Sequence, residues 1–353
     1  MKILILTQKV DKNDDVLGFS HGWIAEFAKH CEKVTVVALG VGECDLPRNV
    51  EIFSLGKENI SQKSKVHKVE SKLKYIFNFY KYIWQERKSY DTVFVHMNPE
   101  YLVLGGILWR LWHKKIGLWY THKAINFKLY LASKLADIIF TASPESFGLK
   151  NKKVKVVGHG IDTNQYNLVQ PLANNGFLKI LCVGRISPIK NQQLLIEAVD
   201  LLVRQYSYEN LKVDLVGPVT SEKDIKYRDK LKKIVEDKNI PSLVNFVGSV
   251  PNRDIIKKYQ EAGLSINLCP TGGMDKVVLE SMACGIPVVV LNKTFENTLP
   301  ARFILKNDNA HELAEKIIEI SKESRPQIEL RSEIVKRHSL ENLIKNIVNS
   351  YHV

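Results

Sequence analysis

Three side chains in the second half of the chain carry separate chemistries beside glycines: Arg185, Lys190 and Glu280. In Val183-Gly-Arg-Ile-Ser-Pro-Ile-Lys-Asn191 an arginine follows an apolar run, and a lysine comes five residues later. Arginine offers a planar fork of donors and lysine a compact point charge, a combination suited to a diphosphate. Two ordinary loop cations are the plain alternative. Further on, Thr271-Gly-Gly-Met-Asp-Lys-Val-Val-Leu-Glu-Ser-Met-Ala-Cys-Gly-Ile-Pro-Val-Val-Val290 reads as a glycine-led loop, a short helix carrying Glu280, a stop at Gly285 and Pro287, and a buried strand. A loop that opens a helix presents backbone N–H groups and the positive end of the helix dipole to a phosphate. Glu280 sits among Val277, Val278, Leu279, Met282 and Ala283. A carboxylate in that setting needs something to bind, and the vicinal hydroxyls of a ribose would serve.

Such residues must be held at strand ends, and the pattern along the chain supplies the strands. Apolar runs fall at 2–6, 34–39, 92–96, 115–120 and 138–142 in the first half. In the second half they fall at 179–183, 212–216, 244–247, 264–268 and 288–291. They are apolar throughout rather than alternating, as strands covered on both faces should be. The amphipathic segments between them complete βα repeats, so the predicted fold is α/β with two Rossmann-like, doubly wound parallel-sheet domains. The turn-rich stretch from Gly158 to Leu178, with Asp162-Thr-Asn, Pro171 and Asn174-Asn-Gly176, is the natural linker. The expected domains are 1–160 and 161–339, with a ligand bound in a cleft between them at the strand C-termini.

Composition sets outer limits. The 353 residues are 45% hydrophobic and 25% charged, ordinary for a globular protein. Cys31, Cys44, Cys182, Cys269 and Cys284 are scattered, with no C-x-x-C pair and no histidine cluster, which argues against a disulfide framework or zinc site and for a reducing compartment. The opening apolar run of four residues is too short for a signal peptide or a spanning helix, and no later run reaches about 18 apolar residues. A cytoplasmic protein is therefore expected.

The net charge of +13 is unevenly spread. Between Lys57 and Lys88 nine basic residues face three acidic ones, interleaved with Tyr75, Phe77, Phe79, Tyr80, Tyr82 and Trp84. Trp109-Arg-Leu-Trp-His-Lys-Lys115 has the same flavour. Such a segment suits the inner face of an anionic membrane, to which the protein would be peripheral. Alternatively it is a solvated basic helix whose aromatics face the core. Nucleic acid is not expected as a partner, since no recognised binding motif accompanies the charge.

Taken together, Gly184-Arg185 with Lys190, Phe246-Val-Gly-Ser-Val250 and Leu279-Glu-Ser-Met-Ala-Cys-Gly-Ile-Pro-Val288 resemble the retaining nucleotide-sugar glycosyltransferases of family 4, which have the GT-B fold. Val157-Gly-His-Gly-Ile-Asp162 followed by Tyr166 is similar to that family's inter-domain segment. The resemblance implies a nucleoside-diphosphate sugar as donor substrate and a hydroxyl as acceptor, and the basic aromatic segment 57–88 points to a lipid-linked or cell-surface glycan as that acceptor. It implies no cofactor, and the chain shows no Asp-x-Asp metal motif, so metal-independent transfer is expected; Asp11, Asp14 and Asp15 read as solvated turn residues. Arg185 and Lys190 would bind the diphosphate, and Glu280 the ribose. Val247 and Gly248 would lie along the base, and Gly272, Gly273, Met274, Asp275, Lys276 and Val277 would face phosphate and sugar. In the first half, Gly18 matches the family's glycine loop. His122 matches its histidine near the transferred sugar, with a strand-capping role as the alternative. His96 would line the acceptor side. The C-terminal helix, about 340–353, would return to pack on the first domain.

The chain departs from the family pattern at one telling place. The family has two glutamates eight positions apart, and eight before Glu280 stands Gly272. Either Asp275 or Lys276 takes over sugar binding, or the protein binds a nucleotide sugar with little or no catalysis. A nucleotide-sugar epimerase of the same fold is a further alternative.

Overall fold

The computed structural model of the chain describes residues 1–14, 16–59, 65–169, 176–270, 272–323 and 325–352, with no account of the side chains of 59–70. Asp15, Pro171, Asn174, Asn175 and Thr271, all singled out in the sequence, lie outside the described residues.

The chain divides into two compact units: Met1–Gly160 with Pro251–Arg253 and Ser339–Val353, and Ile161–Val250 with Asp254–His338. The first holds strands β1 (Lys2–Val10), β2 (Lys33–Val41), β3 (Val50–Ser54), β4 (Thr92–His96), β5 (Lys115–Trp119), β6 (Ile138–Thr141) and β7 (Val154–Val156). They form a parallel sheet in the order β3-β2-β1-β4-β5-β6-β7. Because side chains alternate along a strand, Ile3 and Ile5 of β1 enter one core and Leu4 and Leu6 the other. Helix α1 (Phe19–His30) covers the first face, and α2 (Lys65–Gln85), α3 (Pro99–Leu111) and α4 (Phe127–Leu135) cover the second.

The second unit holds β8 (Leu178–Val183), β9 (Leu211–Val216), β10 (Val244–Gly248), β11 (Leu264–Asn267) and β12 (Val288–Val290). These are again parallel, in the order β10-β9-β8-β11-β12. Around them in chain order lie α5 (Gln192–Tyr206), α6 (Glu222–Asp237), α7 (Ile255–Glu261), α8 (Lys276–Ala283), α9 (Ala310–Ser321) and α10 (Ile328–Arg337). The last helix, α11 (Leu340–Ser350), belongs to the first unit. Its apolar stripe of Leu343, Ile344 and Ile347 is fully buried in the core that holds Ile3 and Ile5, and the Tyr351 hydroxyl donates to the Val93 carbonyl at 2.9 Å.

Two strands are absent from the sequence expectation. β3 and β7 are the two edges of the first sheet; β7 is three residues long and mostly exposed, and β3 reads Val-Glu-Ile-Phe-Ser. An edge strand with one solvated side need not be apolar throughout, so the buried-strand criterion passes over it.

His338 ends α10, where the chain leaves the second unit. Its carbonyl accepts from the Ile161 N–H at 2.7 Å, and its ring is buried. Burial, helped by the neighbouring Arg337 charge, brings its pKa down from 6.5 to about 4. The folded chain keeps the ring neutral while the unfolded chain protonates it below pH 6.5. The contribution is therefore complete above that value and is lost as pH falls towards 4. Over that window the loss amounts to about 3 kcal/mol for this group alone. Urea melts at pH 7 and pH 4.5 measure it: His338→Gln, whose amide does not titrate, is expected to flatten the pH slope. An unchanged slope would remove this assignment.

Candidate functional site

In an open parallel sheet a ligand site forms at the strand C-termini where the strand order reverses. In the second unit that reversal lies between β8 and β11, since β9 follows β8 on one side and β11 lies on the other. The residues that follow these two strands meet there. Lys190 closes a turn of 3-10 helix, Pro188–Lys190, after β8, and Asn267 ends β11. Asp275 occupies the N-cap position of α8 without capping it. Instead its Oδ2 accepts from Lys190 Nζ at 2.6 Å and from Asn267 Nδ2 at 2.9 Å. The Lys190 stem runs beside Gly184, whose hypothetical Cβ would lie 3.7 Å from the lysine Cε.

The neighbouring strand ends are joined by backbone. The Gly184 N–H donates to the Val216 carbonyl and the Gly217 N–H to the Gly248 carbonyl, each at 2.8 Å. A Cβ on Gly217 would stand 2.1 Å from the Gly184 carbonyl oxygen, and φ there is +152°, so both space and backbone demand glycine. Arg185 is exposed beside this junction, with Nη1 3.4 Å from Thr220 Oγ1. Thr220 Oγ1 in turn donates to Asp224 Oδ2 at 2.8 Å, and Gln192 Nε2 donates to the Arg185 carbonyl at 3.0 Å. Thr220, Asp224, Gln192, Gly217 and Asn267 were not singled out from the sequence. The signal for Gly217 was present, a Gly-Pro pair directly after a buried apolar run.

The glycine loop before α8 is anchored from behind: Asn292 Nδ2 donates to the Gly273 carbonyl at 3.2 Å and Thr294 Oγ1 to that of Gly272 at 3.3 Å. Gly272 has φ +122° with open space around its Cβ position. A glutamate there would meet no clash but would occupy a backbone region that side chains rarely adopt. The departure at Gly272 is thus a change of backbone as well as of side chain. Met274 is buried in the core of the unit, while Val247 and Val277 are half-buried and Gly248 is exposed.

Glu280 faces inward from α8. It is 5% exposed, and its Oε2 accepts from the Tyr259 hydroxyl at 3.0 Å. Burial raises its pKa, opposed by the Lys276 charge one turn earlier and by the Tyr259 and Tyr166 hydroxyls. Burial likewise lowers the pKa of Lys276, opposed by Glu280 and Asp162. The protein therefore supplies partners for Glu280 itself, so its setting in an apolar run does not by itself require a ribose.

In the first unit the strand order reverses between β1 and β4. Gly18, at the N-cap of α1, follows β1; His96 ends β4; His122 follows β5. His96 is buried, with Nδ1 3.5 Å from Thr7 Oγ1 and its ring edge-on to Trp23 at 5.3 Å. His122 is exposed in the segment between β5 and α4, its ring 5.9 Å from that of Tyr120. Asp11 and Asp14 both pair with Lys9, at 3.0 and 2.6 Å, and Asp14 also accepts from the Val16 and Leu17 N–H groups. No group of three potential metal-ligating side chains occurs among the described residues.

Two parallel-sheet α/β units of this kind define the GT-B fold, and known structures agree over the full chain. The crystal structure of Anabaena HepE in complex with UDP is 18% identical with a TM-score of 0.73, covering 100% of both chains. Sucrose-phosphate synthase from Thermosynechococcus elongatus is 14% identical with a TM-score of 0.75, covering 100% of this chain and 98% of that one. Residues 167–339 match the family model described as Glycosyl transferases group 1. A D-inositol 3-phosphate glycosyltransferase of Frankia alni is 30% identical over 146 residues, 39% of this chain and 36% of that relative. A protein of the same name from Pseudarthrobacter chlorophenolicus is 25% identical over 131 residues, and the match spans 27% of its length.

The Lys190–Asp275 pair gives a direct prediction. If Lys190 serves a diphosphate, Asp275 competes for it. Asp275→Asn is expected to tighten binding of a nucleoside diphosphate alone by about fivefold, the order of one partly exposed ion pair. Calorimetry checks this, and weaker or unchanged binding would count against the competition.

Proposed function

We propose that the protein is a retaining hexosyltransferase, moving a sugar from a nucleoside-diphosphate donor to an acceptor hydroxyl without a metal ion. The observation that carries the proposal is the meeting of Lys190 and Asp275 at the strand-order reversal of the second sheet, beside the exposed Arg185. Supporting it are the match to group 1 glycosyl transferases over residues 167–339 and the fold shared with a protein whose structure holds UDP.

In this reading Arg185 and Lys190 hold the diphosphate and stabilise the negative charge that grows on it as it leaves. The bond from the sugar C1 to the phosphate oxygen breaks while the acceptor oxygen bonds C1 on the same face. The acceptor proton passes to the departing phosphate. Glu280 takes the ribose hydroxyls, Val247 and Gly248 flank the base, and the Gly272–Val277 loop faces phosphate and sugar. Asp275 takes over the sugar contact that Gly272 cannot make. Lys276, whose charge favours the ionised form of Glu280, supports that carboxylate. In the first unit, Gly18, His122 and His96 are the residues proposed for donor and acceptor contacts. The acceptor is a lipid-linked or surface glycan, consistent with the basic character of the first half.

The test is to incubate the protein with a panel of UDP-, GDP- and ADP-sugars, with and without EDTA, and follow free nucleoside diphosphate. Release that Arg185→Ala abolishes and EDTA leaves intact supports the proposal. Tight binding without turnover, with or without acceptors, would favour a nucleotide-sugar binding protein, the reading that the absence of a glutamate at position 272 also allows. Conversion of the sugar without its transfer would favour an epimerase.

A further inference from the structure

Helices α2 and α3 lie side by side on one face of the first sheet and together leave an apolar surface uncovered. The Tyr80 hydroxyl of α2 donates to the Leu104 carbonyl of α3 at 3.1 Å, and Trp84 packs edge-on to Trp112 at 5.6 Å. Phe79 and Ile83 point the other way, into the core. On the outer side α2 presents Leu73, Phe77, Tyr80 and Trp84, spaced as one helical stripe, and α3 presents Ile107 and Leu111. Phe77 is 69% exposed, Trp84 54%, Ile107 64% and Leu111 67%. The expectation that the aromatics of this segment face the core holds for Phe79 and fails for Phe77, Tyr80 and Trp84. A patch of this kind on a soluble face marks an interaction site.

Its charge says what it meets. From Ser71 to Gln85 there is no acidic residue, while Lys72, Lys74 and Lys81 are all exposed. Arg87 lies over the Trp84 ring at 4.9 Å, and Lys88 is exposed nearby in sequence, while Arg110 is paired with Asp137 at 3.4 Å. The one acid of α3, Glu100, sits at its start and is paired with Lys128 at 2.9 Å. A second copy of the chain would bring like charges together. A nucleic acid would use the cations but leave the apolar stripes without a partner. A sheet of anionic lipid headgroups over hydrocarbon satisfies both sets at once, with the rings and aliphatic chains in the interface and the lysine stems reaching back to the headgroups.

We propose that the outer face of α2 and α3 docks the protein onto an anionic lipid bilayer, peripherally, with Phe77, Trp84, Ile107 and Leu111 entering the interface. Docking is independent of sugar transfer and is read with no nucleotide sugar present, so its failure would leave the transferase reading untouched.

Vesicle sedimentation of the full chain tests it. Vesicles of phosphatidylcholine with phosphatidylglycerol are expected to bind the protein at least about tenfold more tightly than phosphatidylcholine alone, and the difference is expected to shrink as salt is raised. The variant Phe77→Ser/Trp84→Ser/Leu111→Ser is expected to lose about tenfold or more, while Ile225→Ser/Ile328→Ser, exposed positions of the second unit, changes nothing. A second reading uses fluorescence: the emission shifts to the blue when anionic vesicles are added, and Trp84→Phe removes most of the shift. The proposal is overturned if neutral and anionic vesicles bind alike. It is equally overturned if the triple variant binds like the parent, or if light scattering shows dimers that the triple variant dissolves.

Discussion

Lys190→Ala is expected to slow sugar transfer by about 10²- to 10³-fold at saturating donor, the scale of losing one preorganised charge at a leaving group. The physical ground is position. Lys190 Nζ stands at the strand-order reversal of the second sheet, held by Asp275 at 2.6 Å. In the proposed reaction the lysine exchanges this carboxylate for the negative charge that grows on the leaving diphosphate. Its removal should scarcely affect folding, because both partners of the ion pair are about a fifth to a quarter exposed and such pairs contribute only about 0–1 kcal/mol. Steady-state transfer assays with the melting temperature as control measure both quantities. A rate within threefold of the parent, in a folded protein, would exclude Lys190 from charge stabilisation.

Glu280→Gln carries the second large effect, and here two consequences must be separated. Donor affinity is expected to fall by about 1–3 kcal/mol, the cost of spoiling the charged hydrogen bond proposed between Glu280 and a ribose. Stability is expected to fall as well, because Lys276 loses the carboxylate that offsets its burial. The double variant Lys276→Met/Glu280→Gln distinguishes them. It should recover much of the stability, since an apolar chain no longer needs a partner, but not the donor affinity. Recovery of both would show that Glu280 serves only the fold.

The contrast between Lys190 and Glu280 shows where sequence reading reaches. Both sheets were legible because central strands covered on two faces carry unbroken apolar runs, such as Ile3–Leu6 of β1, Val93–Val95 of β4 and Ile180–Val183 of β8. The edge strands β3 and β7 escaped for the opposite reason. The glycine-led loop and α8 were legible from Gly272, Gly285 and Pro287, which punctuate any backbone. That Lys190 would meet Asp275, 85 positions away, was not legible. Nothing local records a contact between residues that follow two different strands. It exists only because β8 and β11 are neighbours at the strand-order reversal.

The class of fold and the chemical types at each strand end follow from residue order alone, because burial and turn formation act through residue type over a few positions. Their partners were set by the assembled fold. It gave Asp275 to Lys190 and Asn267, gave Glu280 to Tyr259 and Lys276, and put glycine at 272 in a backbone region that a glutamate would resist. It also divided the aromatics of α2 between core and solvent. Pairing of charges and the choice of an exposed face are set by which elements lie side by side, and adjacency is a property of the assembled sheet.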